Sequence, residues 1–216
     1  AELNVLGIHP VGGPKANETL EELLYWHAVP KHREQIKKAE EMGIRIEYEA
    51  HALGWIMPRT LFSRQPEWFR MNEKGERTAD FNICASNKDA LDFISYRAKM
   101  LASQLWTGSH RWYFWPDDVS GYSCHCPDCK NLSPSDQALI IANAILKGVR
   151  QFDPEGCVPF LAYQDTTAVP LHVEPEDGIF LEFAPIWRDS KRYIADPNCE
   201  KNAHEIRNIK ELLSFF

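Results

Sequence analysis

Short apolar runs alternate along the chain with longer stretches in which apolar residues recur at helical spacing. The short runs predict β-strands and the longer stretches predict helices. Strands that alternate with helices and are themselves nearly all apolar are typical of a parallel sheet covered by helices, which favours the α/β class. Five strands are predicted: LNVLGI (residues 3–8), IRIEYEA (44–50), RWYFW (111–115), VPFLAY (158–163) and GIFLEF (178–183), with FNIC (81–84) as a short additional candidate.

The helical stretches carry their own start and stop signals. Residues 19–42 have a helical pattern with a break predicted at Pro30, and Gly43 is a typical C-terminal stop. Three further helices are predicted: from Asn87 or Asp89 to about Leu105, from the SPSD motif at residues 133–136, and from residue 202 to residue 215.

The number of strands decides which α/β architecture is expected. A closed (β/α)8 TIM barrel needs eight parallel strands, and the sequence predicts five. We therefore expect a single domain over residues 1–216 that forms an incomplete (β/α)8 barrel, with the missing strands in a longer chain. A doubly wound sheet is the alternative, but no glycine-rich phosphate-binding loop follows the first predicted strand.

Composition narrows the classes of partner. With 44% hydrophobic residues, 25% charged residues and a net charge of −7, the chain has the composition of a folded domain. The absence of a basic stripe argues against nucleic acid as a partner, and no apolar run reaches the roughly 20 residues that span a bilayer. The N-terminus shows no signal-peptide pattern and no initiator Met, so the localisation expected is either cytoplasmic or secreted with the signal removed; the oligomeric state stays open.

Polar and aromatic residues follow the predicted strands. In a parallel α/β protein the functional site lies at the carboxyl ends of the strands, and we expect these residues to line one shared cleft. Indole and phenol rings stack on the C–H faces of sugars, and carboxylates and imidazoles bind sugar hydroxyls, so the cleft is predicted to bind carbohydrate. The candidate binding residues are His9, Glu49, His51, Trp55, Trp115, Tyr163, Asp165, Glu182 and Trp187.

An aspartate pair follows the aromatic run RWYFW. Hydrolysis of a glycosidic bond needs an acid for the leaving oxygen and a second group that stabilises the developing cation. Asp117 and Asp118 are the candidate catalytic pair, since Pro116 favours a departure from regular strand geometry that lets both face a substrate. Crowding of two carboxylates raises the pKa of one of them, as a general acid requires.

Several segments together resemble a known family. The stretches GIRIEYEAHALGWIMP, PEWF with KGER after it, NICASN, WYFWPDD, CHCPDC and DPNCEKNAHEIRNIKELLSFF are similar to a family of uncharacterised glycoside-hydrolase-like domains. Its relatives include the endo-β-N-acetylglucosaminidases of glycoside hydrolase family 163, which cut complex N-glycans. A more distant similarity is to the hexosaminidases of glycoside hydrolase family 20.

The resemblance implies a fold, an activity and residue roles. It implies that the chain holds strands two to six of a barrel and hydrolyses glycans that contain N-acetylhexosamine. Asp117 would orient the N-acetyl group as internal nucleophile, and Asp118 would be the acid. The hexosaminidases have Glu at the second position, one methylene longer than Asp118, so Glu182 and Asp165 are alternative acids.

The cysteines suggest a metal site. Three of the six lie in the motif CHCPDC, at Cys124, Cys126 and Cys129, and thiols at this spacing can hold one Zn²⁺. Tetrahedral zinc needs a fourth ligand, for which the candidates are Cys84, Cys199, His125 and His204. Such zinc would be structural, because this type of glycosidase needs no metal for catalysis. The alternative is a set of reduced thiols that brace a loop.

Two other functions are compatible with the sequence. A carbohydrate-binding barrel without catalysis would keep the aromatic residues but not a competent carboxylate pair. A zinc-dependent hydrolase would need an open metal position, and the chain has no H-E-x-x-H motif to support it.

Overall fold

The computed structural model describes residues 3–106 and 108–216. Four 3₁₀ turns, at Gly13–Lys15, Arg59–Ser63, Pro66–Trp68 and Gln164–Thr166, lie between the longer elements. The strands are β1 (Val5–Ile8), β2 (Arg45–Ala50), β3 (Trp112–Phe114), β4 (Val158–Tyr163) and β5 (Ile179–Ala184). The helices are α1 (Ala16–Ala28), α2 (Pro30–Glu41), α3 (Leu53–Ile56), α4 (Lys88–Gln104), α5 (Pro134–Val149) and α6 (Glu200–Phe215).

The strands pair in parallel with their neighbours in sequence. One sheet has the order β1-β2-β3, and a second sheet pairs β4 with β5. A single parallel bridge between Arg111 and Cys157 connects the edge of the first sheet to the start of β4. The predicted strands are thus present, and they run parallel.

The prediction of a (β/α)8 TIM barrel is wrong. Within the described ranges the strands form sheets of three and two, and no closed barrel is found. Closure depends on strand number, tilt and stagger, which are properties of the whole sheet that local hydrophobic patterns do not specify. A helix was also expected after every strand, but residues 164–178 hold only a 3₁₀ turn and irregular chain between β4 and β5. Residues 81–84 form no strand, since Ile83 makes only an isolated antiparallel bridge to Phe69.

The helix signals in the sequence correspond to real helix ends. Pro30 is the first residue of α2, and Gly43 follows that helix with a positive φ of 84°, which glycine adopts without strain. The Asn87 side chain caps α4 by accepting from the Ala90 amide. Ser133 and Asp136 form a reciprocal capping box at the start of α5.

The first sheet has an apolar face and a polar face. Ile46, Tyr48, Trp112 and Phe114 are buried in one hydrophobic core that includes residues of α4 and α5. Side chains alternate between the faces of a strand, so Glu47, Glu49 and Tyr113 lie on the opposite face.

The two helices that cover the core pack very closely. A Cβ at Gly148 of α5 would collide with the backbone of Ser95 in α4, and the Ser95 hydroxyl donates a hydrogen bond of 2.6 Å to the Ala144 carbonyl.

Over the residues described, no helix has the length and apolar character needed to cross a membrane.

Candidate active site and four-cysteine cluster

Three glutamates from two different sheets lie close together on the polar face. We call Glu47 and Glu49 of β2 and Glu182 of β5 the carboxylate cluster. The pKa of Glu182 is raised to about 7; burial is the largest cause, and the charges of Glu49 and Glu47 act in the same direction. A hydrogen bond of 2.8 Å from the Trp115 indole N–H to Glu182 Oε2 acts in the opposite direction. Glu182 is therefore a carboxyl group that keeps its proton to a higher pH than an ordinary glutamate.

Glu49 is the second member of the cluster. Burial raises its pKa, the charge of Glu47 raises it too, and His9 lowers it. The Glu49 carboxylate packs against Gly7 of β1, where a Cβ would collide with its oxygens. A glycine at this position is what lets the carboxylate approach the backbone of β1.

Glu47 is 7% exposed and lies beside Tyr113 and Arg111. Burial raises the pKa of Tyr113, Glu47 raises it as well, and the hydrogen bond with Arg111 lowers it. The neighbouring guanidinium gives the buried Glu47 a compensating positive charge. Arg111 also lies 4.7 Å from the centre of the Phe180 ring, which connects β3 to β5.

Two imidazoles flank the Trp115 ring. The ring centres of His9 and His51 lie 5.3 Å and 5.2 Å from that of Trp115. His51 Nδ1 is 2.7 Å from the Pro116 carbonyl oxygen, which can only accept, so Nδ1 carries the proton and donates. In the neutral ring Nε2 is then the acceptor. Trp115 thus connects the two histidines to the carboxylate cluster.

Asp117 is held in a charged environment next to this group. It forms an ion pair with Arg59 and accepts a hydrogen bond of 2.6 Å from the Asn82 amide. Arg59 also donates to the Asn82 carbonyl, at 3.2 Å. These contacts occupy Oδ2 of Asp117 and fix the orientation of its carboxylate.

Asp118, Tyr163 and Asp165 lie near one another, around the end of β4. Asp118 is exposed and is 3.5 Å from Gln164 Nε2. Burial raises the pKa of Tyr163, and the nearby Asp118 also raises it. Asp165 accepts a hydrogen bond of 2.7 Å from the Gly121 amide and thereby fixes the loop after β3. Asp117, Tyr163 and Asp165 all line a small cavity with about 50 Å³ of water-accessible space.

The two outlying tryptophans have different surroundings. Trp55 packs at the hydrophobic core, with the Arg97 guanidinium 4.1 Å from its ring centre. Trp187 is 58% exposed and lines a separate pocket that includes Gln164 and the start of α6. The structure therefore brings His9, Glu49, His51, Trp115 and Glu182 together, and it places Trp55 on the helix side of the sheet.

Some residues of the site carried no clear signal in the sequence. Arg59 is 58 positions from Asp117 and begins a short 3₁₀ turn, so no periodicity relates the two. Asn82 is likewise brought to Asp117 by tertiary structure. Tyr113 could have been found, because it is two residues from Trp115 and shares its face of the strand.

Four buried thiols form the second candidate site. The Sγ atoms of Cys84, Cys124, Cys126 and Cys129 all lie within 4.8 Å of one another, and this group could hold a metal ion. Of the candidates for a fourth ligand, Cys84 is the one at the cluster, with its Sγ 3.6 Å from that of Cys126 and 3.9 Å from that of Cys129. All six cysteines of the chain are free thiols.

The pKa values of the four thiols are shifted in both directions: those of Cys84 and Cys126 are lowered, and those of Cys124 and Cys129 are raised. Hydrogen bonds from Cys124 and Cys129 lower the pKa of Cys84, and Arg77 and Ser86 also donate toward it. The Met71 amide and Arg77 point at Cys124 Sγ, at 3.4 Å and 3.7 Å. Deprotonated thiols are the form that binds metal ions.

A family described as "Domain of unknown function (DUF4838)" matches residues 17–214 of the chain. No curated protein matches the chain.

Proposed function

The chain belongs to the DUF4838 family, a family of domains of unknown function, and we propose that it is a glycoside hydrolase acting on glycans that contain N-acetylhexosamine. The observation that carries this proposal is the meeting of Glu182 and Glu49 beside Trp115. Two carboxyl groups on separate strands, next to an indole and two imidazoles, provide the acid, the anion and the hydrogen-bonding surface that glycoside cleavage requires. The class of sugar comes from the family resemblance of the sequence.

In the proposed mechanism Glu182 is the general acid. Its proton passes to the leaving glycosidic oxygen as the bond from that oxygen to the anomeric carbon breaks. The ionised Glu49 faces the positive charge that develops on the sugar ring. Water then adds to the anomeric carbon as its proton passes to the Glu182 carboxylate, which restores the acid. A pKa of about 7 suits Glu182 to this task, because an acid with a pKa near the working pH is both protonated and able to donate.

Asp117 supports the choice of an N-acetylated substrate. Among the described residues, the bonds of Asp117 to Arg59 and to the Asn82 amide both go to Oδ2. Oδ1 can then accept the N–H of an acetamido group on the sugar. This role matches the one that the family resemblance implies for the first aspartate of the pair.

The substitution Glu182→Gln tests the acid. Turnover of an N-acetylglucosamine disaccharide, whose leaving group is poor, should fall roughly 10²-fold or more, the usual contribution of a general acid. An activated aryl β-N-acetylglucosaminide should lose much less, since its leaving group needs little protonation. The limb of the pH–rate profile near pH 7 should disappear. Glu155→Gln is the matched control, because Glu155 is exposed and precedes β4, at the other end of the strands.

Equal losses for both substrates in Glu182→Gln would remove Glu182 from the acid role, and Asp118→Asn would be the next variant to compare. Binding of N-acetylglucosamine oligosaccharides by a protein that hydrolyses none of them would instead support a carbohydrate-binding function without catalysis.

We also propose that the four-cysteine cluster holds a structural zinc ion. Zn–S bonds of about 2.3 Å in a tetrahedron place sulfur atoms about 3.8 Å apart, and the cluster has distances of 3.6 Å and 3.9 Å. Four thiolates occupy every tetrahedral position and leave none for a reacting water, which favours a structural ion over a zinc-dependent hydrolase.

Metal analysis tests this assignment. Protein purified without added metal should contain one zinc per chain, and Cys84→Ser should lose most of it. Cys157→Ser should retain the zinc, because Cys157 lies at the start of β4 and outside the cluster. A metal-free wild-type protein with four reduced thiols would refute the zinc proposal.

A further inference from the structure

Two side-chain contacts connect the chain at β3 to β5 across the polar face. The first is the hydrogen bond of 2.8 Å from the Trp115 indole to Glu182 Oε2. The second is an edge-to-face contact between Tyr113 and Phe180, whose ring centres lie 5.6 Å apart. Each residue of the second contact precedes one of the first by two positions, and residues two apart on a strand share a face. The two contacts therefore form neighbouring layers between the same two strands.

The backbone does not set the distance between these strands at the level of the acid. β5 is paired with β4 along its whole length. Between β3 and β4, however, the described residues show one backbone bridge, from Arg111 to Cys157, and each of these directly precedes its strand. Trp115 lies four residues beyond Arg111. Side-chain contacts must therefore set the spacing between β3 and β5 where Trp115 meets Glu182.

Phe180 is contacted by two side chains from the β3 segment. The Arg111 guanidinium lies 4.7 Å from the Phe180 ring centre, and the plane of the Tyr113 ring meets that of Phe180 at 78°. A cation over an aromatic ring and a pair of rings in an edge-to-face arrangement are both favourable geometries. These contacts hold β5 against the β3 segment two residues before Glu182.

Tyr113 is fixed in turn by its hydroxyl and by its ring. Arg111 donates a hydrogen bond to the phenolic oxygen, and the phenolic O–H donates to Glu47 of β2. The Tyr113 ring also meets the Trp115 ring edge to face, with 6.4 Å between the ring centres. Tyr113 is therefore an anchored side chain, and Phe180 packs against a fixed surface.

We propose that Phe180 is a positioning residue for Glu182. Held by Arg111 and Tyr113, it keeps β5 at the distance from which the Glu182 carboxyl group reaches the Trp115 indole. This inference rests on the proposed function, because Glu182 is the proposed acid. A general acid must lie within hydrogen-bond reach of the leaving oxygen, and a displacement of about 1 Å can lower a rate by roughly 10²-fold.

NMR of ¹⁵N-labelled protein tests the position of the carboxyl group without a substrate. In the wild type, the indole N–H resonance of Trp115 should change as the pH crosses the pKa of Glu182, about 7, because Glu182 accepts that N–H. Other titratable groups face this carboxyl group or the indole: Glu47, Glu49, His9 and His51. The change due to Glu182 is therefore the part that Glu182→Gln removes. Phe180→Ala should lose most of this part, and Phe180→Leu, which keeps bulk but no ring, should lose less of it.

Phe183→Ala is the matched control. Phe183 lies in the same strand, but it faces the other way and packs with an apolar cluster that includes Leu139 and Phe160. Its truncation should lower the stability of the protein and leave the Glu182-dependent change of the Trp115 resonance intact.

Tyr113→Leu examines the other side of the contact. It should reduce the Glu182-dependent change as Phe180→Ala does. The double variant should lose little more than either single variant, because both substitutions remove the same contact and their effects are then not additive.

Kinetics provide a second measurement. Phe180→Ala should lower kcat for an N-acetylglucosamine disaccharide by roughly tenfold or more and leave KM nearly unchanged, because the loss acts through the acid. An activated aryl β-N-acetylglucosaminide, whose leaving group needs little protonation, should lose much less.

The outcomes separate this inference from the proposed function. A Glu182-dependent change that is unaltered in Phe180→Ala refutes the positioning role, and Phe180→Leu decides the question if circular dichroism shows that the alanine variant is unfolded. An equal loss in Phe183→Ala, or a wild-type Trp115 resonance that does not respond to Glu182, also refutes it. If Phe180→Ala loses the response and the wild type hydrolyses no glycoside, the positioning contact stands and the proposed function fails.

Discussion

At the scale of single residues, one indole organises the candidate active site. Trp115 donates to Glu182, and its ring contacts both His9 and His51. His9 and His51 follow β1 and β2, and Glu182 lies in β5, so the indole fixes the relative position of the acid and the imidazoles. The raised pKa of Glu182 then comes mainly from burial and only secondarily from its acidic neighbours. The same burial that suits Glu182 to proton transfer also makes its ionisation unfavourable in the folded state.

This predicts how stability depends on pH. The pKa of Glu182 is about 7 in the folded protein and near its ordinary value of 4.5 in the unfolded chain. Between pH 4.5 and 7 the folded state therefore binds more protons than the unfolded state, so the free energy of unfolding decreases as the pH rises through this range. The contribution of Glu182 is on the order of 1–3 kcal/mol, and Glu182→Gln should remove it.

Urea unfolding of the wild type and of Glu182→Gln at pH 5 and pH 8 measures this effect. The wild type should lose more stability between the two values than the variant does. Glu49 remains in both proteins and contributes in the same direction, so some dependence should persist in Glu182→Gln. An identical change in the two proteins would show that Glu182 titrates normally.

At the scale of elements, local signals in the sequence predicted most of what the structure contains. The five strands, the break at Pro30, the caps at Asn87 and Ser133 and the stop at Gly43 each depend on a few neighbouring residues. The segments without such signals were harder to predict. A helix was expected over residues 164–178, but this segment is irregular. Its prolines and turn residues favour turns, and these turns connect β4 to β5 without a helix.

The residues of the candidate sites also divide into those that could be predicted from the strands and those that only tertiary contacts bring together. Glu49, His51, Trp115 and Glu182 were predicted as neighbours because the ends of parallel strands meet at one edge of a sheet. The sequence left four candidates for the fourth ligand of the cysteine cluster, because Cys84 is 40 residues from Cys124. Only the folding of residues 69–86 against the loop before α5 brings the two thiols together. Contacts between irregular segments are set by tertiary packing, for which a single sequence gives no register.

At the scale of the whole molecule, the connection between the two sheets decides the architecture. Hydrophobic runs predicted parallel strands in the right order, but the number that pair and the closure of the sheet depend on how strands stagger across the molecule. Among the described residues, the backbone pairing between the two sheets narrows to one bridge, from Arg111 to Cys157, beside β3 and β4. Side-chain interactions near that bridge should therefore have an unusually large effect on stability.

Asp153 makes two of these interactions. It follows α5 and is 2% exposed, and its Oδ2 accepts a hydrogen bond of 2.8 Å from the Trp112 indole in β3. Its Oδ1 lies 2.8 Å from His110 Nδ1. In Asp153→Asn the amide N–H₂ would face either the Trp112 indole N–H, at the position of Oδ2, or the Glu155 backbone N–H, which lies 3.3 Å from Oδ1. Either orientation leaves a donor without an acceptor. We expect a loss of about 2–4 kcal/mol in the free energy of unfolding.

Asp177→Asn is the control. Asp177 is fully exposed, so this substitution should change the free energy of unfolding by less than about 0.5 kcal/mol. Urea unfolding followed by tryptophan fluorescence measures both variants, and wild-type stability in Asp153→Asn would mean that the sheets are joined mainly by their apolar contacts.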